Sequence, residues 1–244
     1  MDGVDGTPGS TRPRRKRRIL GLDDEQRQAE RRRLLLDAAL ELFGTRGYAN
    51  TSIELLCHTA AIGTNSFYEL YPSKEAVMVG LYDRISEQLS QSLADEYIAH
   101  RDDPDPIRPL VSAVVHAAVD DPRVARVAFI EAAGISATVE DHRRRTRNAF
   151  IDGLQAIGTD IRQARLQANE DQVRDRAGPS PRRNAVAVMG AIVEMTLDWL
   201  LNDQPDPIEK LIDDIAHHCR RVMDAVVEET GSPHVTRRAD ETAS

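Results

Sequence analysis

The chain has 244 residues, 41% apolar but only 4% aromatic, with two cysteines and a formal net charge of −8. That length can bury a sizeable core in one or two domains, two cysteines exclude a disulfide scaffold, and charges interrupt the apolar runs short of the roughly 18 residues a membrane span needs. The charge is uneven: residues 1–80 hold 12 Arg and Lys against 11 Asp and Glu, and the remainder holds 20 against 29. A mildly basic head on an acidic body would orient the molecule on a polyanion and limit unspecific sticking by the body.

Residues 1–23 carry the cluster Arg12, Arg14, Arg15, Lys16, Arg17 and Arg18 in a stretch rich in Gly, Pro and Thr without an apolar period. Such a stretch reads either as a disordered solvated tail or as an arm that tracks phosphates or enters a minor groove. It has neither the apolar core nor the cleavage pattern of a secretory signal, so a cytoplasmic location is expected. Cys57 and Cys219 lack metal or redox spacing and fit reduced, buried thiols.

Residues 24–73 hold three short helical signals. Leu35, Ala38, Ala39, Leu42 and Phe43 recur at i, i+3, i+4, i+7 and i+8, which lines them along one stripe of a first helix. Gly47 stands where a helix end needs a residue tolerant of positive φ. Thr51 opens T-S-I-E, which predicts a capping box between Thr51 and Glu54 and a second helix from about Ser52 to Ala60. After the break at Ile62-Gly63 a third helix turns Phe67 and Leu70 inward and leaves Thr64, Asn65, Ser66 and Glu69 outward.

These residues resemble the N-terminal domain of the TetR family of bacterial transcriptional regulators. The resemblance rests on LLDAALELF followed by Gly47-Tyr48, on T-S-I at the second helix, and on S-F-Y-E-L-Y-P-S-K-E-A-V from Ser66 to Val77. The family usually has Gly where this chain has Ala61, and Ser or Thr where it has Gly63, which weakens the cap of the third helix. The resemblance implies that Thr64, Asn65 and Ser66 face base edges while Tyr68 and Lys74 hold phosphates. Glu69 would accept from a cytosine amino group or repel a wrong register, and Thr51 and Ser52 complete the expected DNA-contacting set.

The fold is accordingly expected to be all-α: an N-terminal three-helix helix-turn-helix DNA-binding domain and a helical C-terminal ligand-binding and dimerisation domain, about nine helices in all. The second domain spans 74–230. A long helix runs from Lys74 towards His100, followed by helices at 107–119, 123–133, 137–168, 182–202 and 206–229, with a disordered tail at 231–244.

Ala185, Val188, Met189, Ile192, Val193, Met195, Thr196 and Trp199 give the penultimate helix a broad apolar surface, interrupted by small residues where another helix could approach. The last helix has a stripe of its own through Leu211, Ile212, Ile215, Cys219, Val222 and Met223. In TetR-like proteins these two helices pair with their copies, which implies a homodimer with Val186, Met189, Gly190, Val193, Leu197, Ile215, Cys219 and Val222 in its interface. Short recognition units also generally need two half-sites.

The space between these helices and the long linking one is where TetR-like proteins hold a small effector. His116, Phe129, Phe150, Met195 and Trp199 fall on inward faces and are the candidate lining, with core packing as the competing reading for each. Glu131 and Glu194 are acids in apolar surroundings that could meet a ligand, face solvent or pair with an arginine. The run RRRTR at 143–147 reads as a solvated face.

Consecutive His217, His218 and Cys219 point about 100° apart on a helix and do not converge on a metal. No nucleophile elbow, Walker loop or Gly-rich dinucleotide turn is present, so neither catalysis nor a cofactor is implied. The expected partners are a double-stranded DNA operator, a second copy of the chain and an unidentified small-molecule effector, with no membrane. The leading reading is a repressor released from a palindromic operator by its effector. An activator, a ligand-independent DNA binder, and a helical enzyme or carrier with a relic head are the alternatives.

Overall fold

The computed structural model describes residues 14–168, 180–202 and 204–224, and among them every regular element is helical. The helices are α1 (Arg14–Arg46), α2 (Ile53–Thr59), α3 (Thr64–Leu70), α4 (Lys74–Ala99), α5 (Ile107–Val119), α6 (Pro122–Ala125), α7 (Ala137–Ala168), α8 (Pro181–Leu201) and α9 (Ile208–Asp224). The expected tail at 231–244 lies outside the described residues. α6 runs on into a π-helical turn at Arg126–Glu131, where the Ala132 N–H donates to the Val127 carbonyl five residues back at 3.1 Å. α1 begins at Arg14, inside the stretch expected to be a tail. Its Arg, Lys, Leu, Glu and Gln residues are good helix formers, and nothing before Arg46 breaks the helix.

The chain divides into two compact units, one running to Leu81 and one starting at Tyr82. The boundary therefore lies two turns into α4 rather than at Lys74, because Val77, Met78 and Leu81 are buried. In the first unit the α1 stripe of Leu35, Ala38, Ala39, Leu42 and Phe43 is buried as its spacing requires, and Phe43 and Phe67 are fully enclosed. Each such side chain contributes about 1.5–3 kcal/mol of apolar burial. Gly47 ends α1 at φ 87°, a conformation costly for any residue with a Cβ.

In the second unit α8 packs against α7 and α9, and α9 packs against α5. Leu211, Ile212, Ile215, Ala216 and Cys219 form the buried face of α9 and meet Val111, Val115, Ile192 and Trp199 in one core. Arg108 of α5 fastens the outer side of this pairing, donating to Asp213 at 2.7 Å and Glu209 at 2.6 Å.

α8 departs from the expectation that no apolar run reaches the length of a membrane span. Its mean hydropathy is 1.4 over 18 residues, and only 22% of that window is buried. The reason is composition: Glu194 and Asp198 are the only charges between Asn184 and Leu201. It is a packed helix of the bundle with one apolar side left open.

Candidate nucleic-acid interface

α2 is capped by Ser52, whose hydroxyl accepts from the Leu55 N–H at 3.2 Å. The expected Thr51–Glu54 capping box does not form. Thr51 lies one residue too early: it is 1% exposed and its hydroxyl donates to the Gly47 carbonyl at 2.9 Å. Glu54 instead accepts from Ser52 and from its own N–H, which holds its carboxyl below the usual range. Thr51 thus leaves the DNA-contacting set, whereas Ser52 remains exposed.

The turn into α3 places Ala61 at φ 54°, the left-handed region that glycine favours. Gly63 precedes α3 without a side-chain cap. The faces of α3 fall as its spacing predicts. Phe67 and Leu70 are buried, Thr64, Asn65, Tyr68 and Glu69 are exposed, and Ser66 is half-buried. Tyr68 is 55% exposed, so a phenol on a rigid ring stands clear of the head.

Lys74, to which the resemblance gives a phosphate, is half-buried. Its ammonium donates to the Tyr48 and Thr51 carbonyls, both at 2.9 Å, and lies 4.1 Å from the centroid of the Tyr48 ring. Burial lowers its pKa from the ordinary lysine value. Two of its three protons are spent on the α1–α2 loop, so its first role is to brace that loop against the start of α4.

Sequence reasoning missed Arg31. From α1 its guanidinium reaches Ser66 at 3.4 Å and stands 3.7 Å from the Glu69 carboxylate. An outward face that carries an acid would be repelled by a polyanion, and Arg31 offsets that charge. The signal lay in its spacing: Arg31 stands four residues before Leu35 and seven before Ala38, in line with the stripe of α1 that packs into the head.

The candidate effector residues separate. Phe129 and Phe150 line a cavity of about 60 Å³ in the second unit. His116 does not: it sits half-exposed at 2.9 Å from Asp120 and 3.9 Å from Glu209. Trp199 is buried, but its indole N–H donates to the Asp206 carbonyl at 2.8 Å and so fixes the α8–α9 turn. Met195 packs on the core. A second cavity of about 110 Å³, walled by Leu110, Leu154, Ile157, Ala185, Val188 and Cys219, was not anticipated. Gly158 is among its lining residues and leaves open space where a Cβ would stand.

The expected dimer face also separates. Val186 is 39% exposed, and Met189, Gly190, Val193 and Leu197 are half-buried along the open side of α8. Ile215 and Cys219 are 0% and 2% exposed and belong to the subunit core, because the α9 stripe is consumed by α5 and α8; Val222 is half-buried. Burial raises the Cys219 thiol to about 11.

Of the two acids singled out in the sequence, Glu131 pairs with Arg126 at 3.2 Å and Glu194 is exposed. Arg144 and Arg145 both pair with Asp141, as a solvated face would, but Arg143 lies against the Tyr82 ring with its centre 6.0 Å from the centroid. Burial raises the Tyr82 phenol, opposed by Arg143 and Arg147. Among the described residues no group of His, Cys, Asp and Glu is arranged to hold a metal ion.

Residues 35–81, which include both helices of the head's turn and the brace at Lys74, match the sequence profile described as "Bacterial regulatory proteins, tetR family". Over these residues the chain resembles the tetR-family head. A curated relative, the uncharacterized HTH-type transcriptional regulator YuxN of Bacillus subtilis (strain 168), is 35% identical over 52 residues. That match covers 21% of this chain and only 18% of YuxN.

Likeness over the whole chain is one of fold. The transcriptional regulator FadR of Bacillus subtilis, solved in complex with stearoyl-CoA, superposes with a TM-score of 0.60 at 18% identity, over 80% of this chain and 97% of its own. A bacterial regulatory protein in the tetR family from Rhodococcus RHA1 gives 0.56 at 20% identity, over 79% and 96%. The match to the tetR-family profile is thus confined to residues 35–81, and the likeness of the helical body to these regulators is one of fold.

Proposed function

We propose that the chain is a regulator of the tetR family, a homodimeric repressor that binds a palindromic operator and leaves it when a small molecule occupies the body. The observation that carries the reading is α3, whose Asn65, Tyr68 and Glu69 are exposed while Phe67 and Leu70 anchor the helix inside the head. A helix held rigidly from behind with polar side chains in front is suited to a major groove. The open apolar side of α8 supports pairing with a second copy, since contiguous exposed apolar surface marks an interaction site. The cavities in the body support an effector, and that FadR was solved with stearoyl-CoA supports a lipid-like one. The protein would act in the cytoplasm.

The test is selection of bound duplexes from random DNA by the full chain. Recovery of an inverted repeat with half-sites about one helical turn apart, about 34–36 Å, is expected. Recovery of a single half-site would refute the dimeric mechanism, and no enrichment at all would refute DNA recognition. A reporter driven from the recovered sequence should rise when the gene is deleted; a fall would make the protein an activator.

A further inference from the structure

Two spaces in the second unit meet at the side chains they share. The inner one, of about 60 Å³, is walled by apolar groups that include Ile85, Leu89, Val115, Phe150 and Ile192. The outer one, of about 370 Å³, carries Arg143, Arg144 and Arg147 on its α7 side. Tyr82, Phe129, Arg147, Met189 and Val193 line both, so the apolar chamber and the basic mouth adjoin at these side chains.

The polar groups around this double space are not arranged as a self-sufficient core would arrange them. Thr196 is 1% exposed and lines the inner chamber, yet its hydroxyl has no hydrogen-bond partner. A buried hydroxyl left unpaired destabilises a fold, and a ligand atom can supply what is missing. The Arg143 Nε is likewise buried without a partner, although the end of the same guanidinium is held by Glu140 at 3.0 Å.

Arg144 is committed to Asp141. Arg147 makes no ion pair among the described residues and stands where the two spaces join. Glu140 and Glu194 are the acids of the mouth, and Glu140 is already engaged by Arg143 and by the Gly134 N–H at 2.7 Å. Glu194 lines the mouth alone, and Arg147 is the charged side chain that lines both spaces.

We propose that the chamber and its mouth bind an amphiphile with one anionic head, carboxylate or phosphate, held by Arg147 with the Arg143 Nε beside it. Its apolar body lies between Phe129, Phe150 and Ile192, and a polar atom on that body pairs with Thr196. This rests on the reading of the body as an effector domain and specifies the chemistry of its ligand. Met189 and Val193 also lie on the α8 side assigned to the second copy, so an occupant of the mouth would bear directly on how two subunits pack.

Calorimetric titration of the full chain with decanoate, decyl phosphate, decanol and decyltrimethylammonium tests the assignment. At least one anion should bind about tenfold or more tightly than decanol, and the better anion identifies the head group. Arg147→Met should reduce that preference to within about twofold while leaving decanol binding unchanged. Arg147→Lys should retain most of it, and Arg182→Met, at an arginine outside both spaces, should change nothing. If Arg147→Met does not fold, Arg147→Gln serves in its place.

Equal binding of decanol and the anions, tighter binding of the cation, a preference that survives Arg147→Met, or no binding by any probe would each overturn the proposal. Operator occupancy is recorded separately on the duplex recovered by selection. An anion that binds the chain without lowering occupancy would leave the ligand site standing and refute release by an effector.

Discussion

The Lys74 Nζ lies 4.1 Å from the centroid of the Tyr48 ring and 2.9 Å from the carbonyl oxygen of the same residue. One ammonium thereby closes the loop that follows α1 onto the first turn of α4, with the Thr51 carbonyl as its second acceptor. Hydrogen bonds to a charged group contribute about 1.5–3 kcal/mol each when they are formed away from water. Lys74→Met should lower the stability of the head by about 2 kcal/mol in a urea titration and weaken DNA binding on every sequence, with little change in salt dependence. A salt slope shallower by about one unit with an unchanged unfolding midpoint would show that the ammonium serves a phosphate instead.

Ala61 occupies a left-handed position at φ 54°, where a Cβ costs about 1–2 kcal/mol. Glycine removes that cost and returns about 0.4–1 kcal/mol as extra freedom of the unfolded chain. Ala61→Gly should therefore stabilise the head by about 0.5–1 kcal/mol, and Ala61→Val, with a branched side chain, should destabilise it. Chemical denaturation of the two variants beside the parent decides the sign.

A Cβ at Gly190 would meet no heavy atom within 4 Å inside its own subunit. A leucine there is consequently tolerated by the folded monomer and felt by whatever covers α8 and by the mouth that Gly190 helps to line. Gly190→Leu should leave the melting temperature at high dilution unchanged and shift sedimentation towards monomer, since overpacking a filled interface costs about 1–3 kcal/mol. Operator affinity should fall with the dimer. A variant that stays dimeric and binds as before would place the interface away from this side of α8.

On the recognition helix, Asn65→Ala should cost about 1–3 kcal/mol at particular base pairs and almost nothing on unrelated DNA. Arg31→Ala leaves Glu69 unopposed and should weaken all sequences together. Competition titrations on the selected operator and on scrambled duplex separate the two patterns. Loss of sequence preference in Arg31→Ala, with Asn65→Ala uniform, would exchange their roles.

Burial raises the Cys219 thiol from 9.0 to about 11. Between those values the unfolded chain has released the proton and the folded chain keeps it, so stability falls as pH rises through that window. The loss by pH 11 amounts to roughly 2 kcal/mol on the scale of 1.36 kcal/mol for each unit. Other groups titrate in the same range, and Cys219→Ala isolates this one. The difference in unfolding free energy between parent and variant should shrink steadily from pH 8 to pH 11; a constant difference would mean that the thiol does not titrate on unfolding.

The helices were legible because each rests on a local signal: a 3.6-residue apolar period, a Gly or Pro break, a cap. The inward and outward faces of α3 follow from the same arithmetic. What periodicity cannot supply is the identity of the surface that an apolar stripe meets. Ile215 and Cys219 were correctly apolar-facing, but their partners are α5 and α8 of the same subunit. Trp199 and His116 fail as cavity residues for a related reason. A turn of roughly 100° between neighbours separates a chamber wall from a core contact or a rim, which is finer than helix boundaries known to a few residues allow. Thr51 and Ser52 differ by one position in a motif that either could begin, and the tertiary demand of the Gly47 carbonyl decides between them.

The π-helical turn at Arg126–Glu131 holds one residue more than an α-helix of the same rise would need. It is a tolerated insertion. Excising a single residue there would let the segment relax into an unbroken α-helix without a new loop, the flanking stretches keeping their register and only the residues inside the turn being re-aimed. Phe129 lies inside the turn and would leave the chamber wall. Relatives that differ from this chain by one residue between Val124 and Ala133 are then to be compared with a gap at that place, and the ligands they accept should differ even where every flanking residue is the same.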